Sequence, residues 1–370
     1  MGRLFIIIKF NAMNDISVIR GKSGEILLLL DELLLEGNTK VKNQVERSIN
    51  QTLNAIDECC DISFGYGMTG VMYLLALTKQ YSYISYDLSQ IFEYLDRSTV
   101  RQLSEFNGNY DLLHGLVGLG VSYLARSKCD DTAKVIIEQI LLSIEQCYIS
   151  INKYDFIPYR IESHTLFTDN LWVNTGLLHG MTSVVAFYLI CIKEGLVTPK
   201  LINRVNEYMD ILEKIQQYNK FSVFPNAFII NEDNDFICDN SSSGLFYCHG
   251  DLGIANTILM AADILHNNKY YNLAERTITN FYNRMHSVDL NYYNPFFCHG
   301  IAGVYYFLMR FTKYYPYSRN IEIAREMQVR LTHTNAQKVP LGILNGRTGV
   351  EMALKSERRS SFIERVLLLA

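Results

Sequence analysis

The sequence predicts an all-α protein assembled from seven repeated helix pairs. Long segments rich in leucine, isoleucine and tyrosine place apolar residues at 3.6-residue spacing, and the 370 residues include only six prolines. A Gly-x-x-Gly motif followed by an apolar helical run recurs seven times along the chain. A row of stacked helix pairs leaves two ends that need caps, whereas a closed ring of seven does not.

The seven motifs are evenly distributed, apart from two longer intervals. Their first glycines lie 46 to 50 residues apart, except for intervals of 65 and 70 residues before the fourth and fifth motifs. Second helical patterns between the motifs, such as residues 41–56 and 132–149, make each unit a helix pair. Glycine permits a tight approach to a helix start and lets neighbouring backbones come close. The motif residues are Gly21 and Gly24, Gly67 and Gly70, Gly115 and Gly118, Gly180 and Ser183, Gly250 and Gly253, Gly300 and Gly303, and Gly346 and Gly349.

The two longer intervals contain additional segments, near residues 152–174 and 221–243. We expect small hairpins there, at one end of the ring, where repeat proteins often place binding function. Nothing indicates a separate second domain, so we predict one domain over residues 1–370 with these two insertions.

Composition excludes several classes of protein. With 49% hydrophobic residues, 19% charged residues and a net charge of −4, the chain is typical of a soluble globular protein with a large core. It lacks the basic stripe that nucleic-acid binding requires and any apolar run long enough for a transmembrane segment. The apolar stretch at its start is too short for a signal peptide. We therefore predict a cytoplasmic protein, in which an even number of cysteines does not imply disulfides.

Two Cys-His-Gly triplets, at positions 248–250 and 298–300, indicate a metal site. Thiolate and imidazole are the ligands that zinc (Zn²⁺) selects, and the spacing is not that of a zinc finger. Two separate elements instead assemble a site that keeps an open position, as catalytic zinc sites do. We predict Cys248, Cys298 and His299 as the ligands, at helix starts whose positive potential favours a thiolate.

Further candidates for acid–base chemistry precede other repeat glycines. Histidine stands before the first glycine in four of the seven motifs, including His179 and His249. His249 is equivalent to His299, so it either binds the metal as well or acts as an acid or base beside it. Asp111 lies four residues before Gly115 and either orients an imidazole or caps a helix. If the helix starts converge, these side chains point into one bowl.

The repeat motifs and both Cys-His-Gly triplets resemble the lanthionine synthetase C-like (LanC) proteins over nearly the whole chain. The resemblance implies an α/α toroid with seven inner and seven outer helices, and a catalytic zinc held by Cys248, Cys298 and His299. In that family, the residues matching Asp111 and His179 lie near the metal and affect catalysis. The sequence departs from the family in a few places, among them Tyr247 for tryptophan, His249 for tyrosine, Leu252 for proline and Gly244 for arginine.

The resemblance implies a lanthipeptide cyclase of lantibiotic biosynthesis. Its substrate is a dehydrated precursor peptide, whose cysteine thiols add to dehydroalanine or dehydrobutyrine and form (methyl)lanthionine thioether rings. His179 or His249 is the candidate acid that protonates Cα, with Asp111 as the orienting partner. A dehydratase and an ABC-type peptide transporter are candidate partners, which would place the protein at the membrane periphery.

Two alternatives remain open. A LanC-like protein that acts on small thiols such as glutathione would use the same zinc. A zinc-stabilised helical scaffold would bind a peptide without turnover. Glycosidases also use α/α toroids, but they need paired carboxylates, and the motifs contain no convincing acidic pair.

Overall fold

A computed structural model provides the fold. It describes residues 15–56, 61–83, 86–105, 108–151, 153–158, 171–217, 222–231, 233, 235–239, 244–285, 287, 289, 293–316, 320–334, 339–355 and 361–370. Outside these ranges lie Cys59, Cys60, the apolar stretch at the start of the chain, and all of residues 159–170, which belong to the first predicted insertion.

Fourteen helices in the described residues alternate between an inner and an outer layer. The inner helices follow the repeat glycines and are buried along almost their whole length, because apolar side chains cover all their faces. They are α1 (Lys22–Glu36), α3 (Met68–Gln80), α5 (Leu116–Arg126), α7 (Met181–Lys193), α9 (Asp251–Leu265), α11 (Ile301–Thr312) and α13 (Arg347–Leu354).

The outer helices are amphipathic and pack their apolar stripes against the inner layer. In the helix that runs from Pro199 to Lys214, for example, Leu201, Val205 and Leu212 are buried, while polar residues between them face solvent. None of the helices in the described ranges combines the length and apolar character that a bilayer span requires. The outer helices are α2 (Thr39–Asn54), α4 (Ser89–Ser104), α6 (Thr132–Glu145), α8 (Pro199–Lys214), α10 (Asn268–Met285), α12 (Asn320–Thr332) and α14 (Ser361–Val366).

The seven units close into a ring through backbone hydrogen bonds just before the inner helices. Each unit's segment bonds the equivalent segment of the next unit, and the last bonds the first, so the ring has no open end. The predicted α/α toroid with seven inner and seven outer helices is confirmed. The bonds run from the amide of Ile19 to the carbonyl of Gly65 (3.1 Å), Gly65 to Leu113 (2.8 Å), Leu112 to Leu178 (3.2 Å), Leu178 to Cys248 (3.3 Å), Tyr247 to Cys298 (3.3 Å), Cys298 to Leu344 (2.9 Å) and Ile343 to Ile19 (2.7 Å).

Close backbone approach explains the repeat glycines. A Cβ atom at Gly67 would lie 2.1 Å from the carbonyl oxygen of Asp61, and one at Gly70 would lie 2.2 Å from that of Phe64. Both contacts are with the carbonyl six residues earlier, because the chain doubles back on itself before entering the helix. Among the first glycines only Gly250 has a positive φ, at 108°. Close approach is therefore the general requirement, and a left-handed conformation is confined to one corner.

The two longer intervals form small antiparallel β structures. Strands β1 (Ile149–Ile151) and β2 (Tyr154–Phe156) form a hairpin. Strand β3 (Val173–Asn174) pairs with β4 (Ala227–Ile230), which in turn pairs with β5 (Phe236–Cys238). The first and second intervals therefore share one three-stranded sheet, whose edge leads directly into the fourth repeat corner.

Candidate metal centre

The residue immediately before each first glycine occupies the same position in every unit. We call these seven side chains the corner residues. Each is at least partly exposed, although the glycine that follows and the residue that precedes it are buried. The inner helix starts therefore present one side chain apiece at the same end of the ring. The corner residues are Arg20, Tyr66, His114, His179, His249, His299 and Asn345.

Three of the predicted site residues form a group suited to a metal ion. The ligand atoms of Cys248, Cys298 and His299 all lie within 4.8 Å of one another, and Nε2 of His299 is 3.0 Å from Sγ of Cys248. Zinc–sulfur and zinc–nitrogen bonds of about 2.3 and 2.1 Å put tetrahedral ligand atoms roughly 3.5–4 Å apart. The two thiols are buried, whereas His299 is exposed toward the bowl. The donor set and its spacing fit zinc with an open position.

The two cysteines interact electrostatically. A hydrogen bond from the Cys298 thiol and one from His299 lower the pKa of Cys248, against the opposing effect of burial. The same contact with Cys248, together with burial, raises the pKa of Cys298. Contact with Cys248 also raises the pKa of His299. A thiolate is thus already stabilised at Cys248, which is the form that a metal ligand requires.

Asp111 and His179 also meet. Oδ2 of Asp111 lies 2.7 Å from Nδ1 of His179, and the carboxylate is buried. Its Oδ1 atom accepts the backbone N–H groups of His114 and Gly115 at 2.7 and 3.1 Å. Both alternatives for this aspartate therefore hold, because one oxygen caps the turn before α5 and the other contacts an imidazole.

His249 lies between this pair and the metal group. Its ring centroid is 6.0 Å from that of His179 and 6.4 Å from that of His299. It is not part of the three-residue ligand group found in the described residues. The structure therefore brings all six predicted site residues to four consecutive corners of the ring.

Comparison with known proteins agrees with this architecture. A family model for lanthionine synthetase C-like proteins matches residues 12–358. The chain belongs to this family. Its structure is also similar to one described as nisin cyclase, with a TM-score of 0.76, 17% sequence identity, and coverage of 96% of this chain and 92% of that one. At this identity the likeness shows the shared LanC-like fold. No curated protein sequence matches the chain.

The departures from the LanC-like motifs have structural counterparts. A Cβ atom at Gly244 would lie 2.1 Å from the ring of Phe246, so that ring fills the space of a side chain at position 244. Phe246 packs edge-on against His299, with ring centroids 5.0 Å apart. The hydroxyl of buried Tyr247 donates a hydrogen bond to the carbonyl of Leu367 at 2.9 Å. Tyr247 therefore links the corner of Cys248 to the segment that follows α14.

Asp251 was not predicted from the sequence, although it holds the corner of Cys248 and His249 in place in this LanC-like chain. Its fully buried carboxylate accepts the backbone N–H groups of Val223 and Phe224 and pairs with Arg284 at 2.5 Å. Burial raises the pKa of Asp251, while Arg284 opposes this effect. Since Asp251 begins α9, it ties the second insertion to the helix that follows Cys248. Its position immediately after a repeat glycine was the available signal.

Proposed function

We propose that this LanC-like protein is a zinc-dependent lanthipeptide cyclase. The observation that carries the proposal is the proximity of two chemically complementary groups on adjacent corners. One is the ligand group of Cys248, Cys298 and His299, and the other is the Asp111–His179 pair, with His249 between them.

Cys248, Cys298 and His299 would hold the zinc ion. A zinc ion bound there would supply the Lewis acidity that favours the thiolate form of a substrate thiol at neutral pH. Zinc sites with three protein ligands keep an open position, which the peptide cysteine would take. Both cysteines are buried, which shields their sulfur atoms from solvent. His299 is exposed, so substrate can reach the site from its side.

The histidines would deliver the proton. After sulfur adds to the β-carbon of dehydroalanine or dehydrobutyrine, Cα requires a proton. His179 is suited to this step because Asp111 fixes its ring through Nδ1, which directs the other nitrogen away from the carboxylate. His249 stacks beside it and is the alternative donor. A dehydratase would supply the substrate, and a peptide transporter would export the product.

Counting free thiols tests this proposal. The substrate is a dehydrated Ser/Thr/Cys-rich precursor peptide encoded beside this chain, incubated with zinc-loaded protein and then alkylated for mass spectrometry. We expect one fewer alkylated cysteine for each ring, with no change in peptide mass before alkylation, because thiol addition is an isomerisation. Cys298→Ala should leave every thiol open to alkylation.

A parallel incubation with glutathione separates the alternatives. Peptide–glutathione adducts without internal rings would favour the small-thiol activity instead. Peptide binding with all thiols still free would favour the non-catalytic scaffold and refute the cyclase.

A further inference from the structure

The corner residues of the first three units form a continuous row. The guanidinium carbon of Arg20 lies 4.4 Å from the ring centroid of Tyr66, in a cation–π contact. The ring centroid of His114 lies 5.1 Å from that of Tyr66, and the two planes are inclined by 32°. Arg20 and His114 are exposed and Tyr66 is partly exposed, whereas Gly65 and Gly67 on either side of Tyr66 are buried. The ring of Tyr66 is therefore held in place from two directions.

Tyr66 is also linked to the proposed site through the neighbouring corner. Its ring contacts His114, whose backbone N–H donates to Oδ1 of Asp111 at 2.7 Å, and the negative charge of Asp111 acts on the Tyr66 hydroxyl. Burial raises the pKa of Tyr66, and the charge and hydrogen bonding of Arg20 oppose this effect without cancelling it. At neutral pH the phenol therefore keeps its proton and serves as an O–H donor.

The proposed reaction needs such a donor at one particular atom. When a thiolate adds to a dehydroamino acid, negative charge moves to the carbonyl oxygen of that residue. Donors that are fixed where charge develops lower the barrier more than donors that must reorganise. The histidines assigned above serve Cα, so they leave the oxygen without an assigned partner.

We propose that Tyr66, held in place by Arg20, is a further catalytic residue that donates a hydrogen bond to the enolate oxygen of the dehydroamino acid. The inference rests on the proposed cyclase function, since only an acceptor conjugated to a carbonyl generates this oxygen. Arg20 is the positioning residue of the pair.

The step is balanced without a further reactant. Peptide sulfur forms a bond to Cβ, the π bond between Cα and Cβ breaks, and its electron pair passes to the carbonyl oxygen. Tyr66 donates to that oxygen and remains protonated. His179 or His249 then delivers a proton to Cα and the carbonyl re-forms. The attacking thiol has released one proton, so the overall reaction adds S and H across the double bond.

Steady-state kinetics of Tyr66→Phe test the inference with the dehydrated peptide and zinc-loaded protein. We expect kcat to fall by about 100-fold, as for loss of a single oxyanion donor, with KM unchanged. Zinc content and Tm should stay at the values of the unsubstituted protein. Arg20→Met should lower kcat in the same sense, and Arg20→Lys should restore part of it, because lysine keeps a cation over the ring.

Tyr271→Phe is the matched control. Its hydroxyl donates to Asp263 at 2.6 Å, and it lies on outer helix α10, so kcat should not change. A Tyr66→Phe protein with normal kcat, or with only KM raised, would overturn the enolate role while leaving the cyclase proposal intact. An unsubstituted protein that leaves all thiols free would overturn the cyclase proposal and this inference with it. Should Tyr66→Phe fail to fold, normal kcat in Arg20→Met would overturn the inference, because Arg20 is exposed and its substitution should leave the protein folded.

Discussion

Oδ2 of Asp111 lies 2.7 Å from Nδ1 of His179, although 68 residues separate them in the chain. The contact exists because adjacent corners of the ring are joined by the hydrogen bond from the amide of Leu112 to the carbonyl of Leu178. Backbone closure of the ring thus determines which carboxylate reaches which imidazole.

Replacing either Asp111 or His179 should slow the formation of thioether rings in the peptide without releasing zinc. We expect His179→Ala to lower kcat by about 10²–10⁴-fold, the range for loss of a general acid. Asp111→Asn should give a comparable loss, because an amide favours the wrong imidazole tautomer. Peptide cyclisation followed by thiol alkylation measures the rate, and metal analysis measures zinc. A normal rate in His179→Ala would transfer the proton-donor role to His249.

Cysteine substitutions should separate ligand from core thiols. Cys298→Ala should weaken zinc binding by more than about 100-fold, since even substitutions outside the ligand set cost 10–100-fold. Competition with a chelator measures the affinity. Cys191→Ala is the control, because this thiol is fully buried in α7 and remote from the ligand group. Full zinc content in Cys298→Ala would show that this cysteine is not a ligand.

The Asp251–Arg284 pair should contribute much more to stability than a surface pair. Asp251→Ala removes the ionic partner of the largely buried Arg284 and the carboxylate that accepts two backbone N–H groups, so we expect a loss of about 3–5 kcal/mol in the free energy of unfolding. Asp210→Ala removes an exposed contact with Lys269 and should cost less than about 1 kcal/mol. Urea denaturation of both variants provides the comparison. Equal losses would mean that Asp251 does not anchor the second insertion.

Glu194 should contribute to the acid sensitivity of the fold. Burial alone would raise the pKa of Glu194, but Lys128 and Arg365 outweigh this effect and hold the pKa below the ordinary value of a glutamate. A lowered folded-state pKa contributes stability above the unfolded-state pKa, and this contribution is lost as pH falls through the folded-state value.

Glu194→Gln should therefore cost about 1–3 kcal/mol at pH 7 and much less near pH 3. Thermal unfolding as a function of pH measures this difference. Glu326→Gln is a suitable control because Glu326 pairs with Arg330 at the surface within one helix. A pH-independent loss in Glu194→Gln would contradict an ionic origin.

Much of the architecture was predictable from the glycine spacing. Every repeat glycine except Gly250 has a backbone neighbour too close to admit a side chain, and Gly250 has a positive φ. The motif therefore recurs where an inner helix begins, and the number of motifs gives the number of units. The grouping of the candidate metal ligands was predictable for the same reason, since Cys248 and Cys298 occupy equivalent positions that hold Leu113 and Leu178 at other corners.

Contacts between distant segments were not predictable. The sheet that joins β3 to β4 depends on pairing between the two insertions, and the sequence of each insertion contains no sign of its partner. Tyr66 and Arg20 were missed because they are not histidines, although they occupy the same corner position as His179. Sequence position indicated where these side chains lie, but their mutual orientation depends on the curvature of the ring.

Ring closure also determines the order in which the molecule can be completed during synthesis. The amide of Ile343 bonds the carbonyl of Ile19, and Arg347 pairs with Glu25, so the first unit finds its second neighbour only after the seventh has left the ribosome. Cys248 and His299 lie only 51 residues apart and belong to consecutive units. The ligand group can therefore assemble on an open arc before the ends meet. Because the entropic cost of joining chain ends grows only logarithmically with length, the late closure costs little more than a shorter one would.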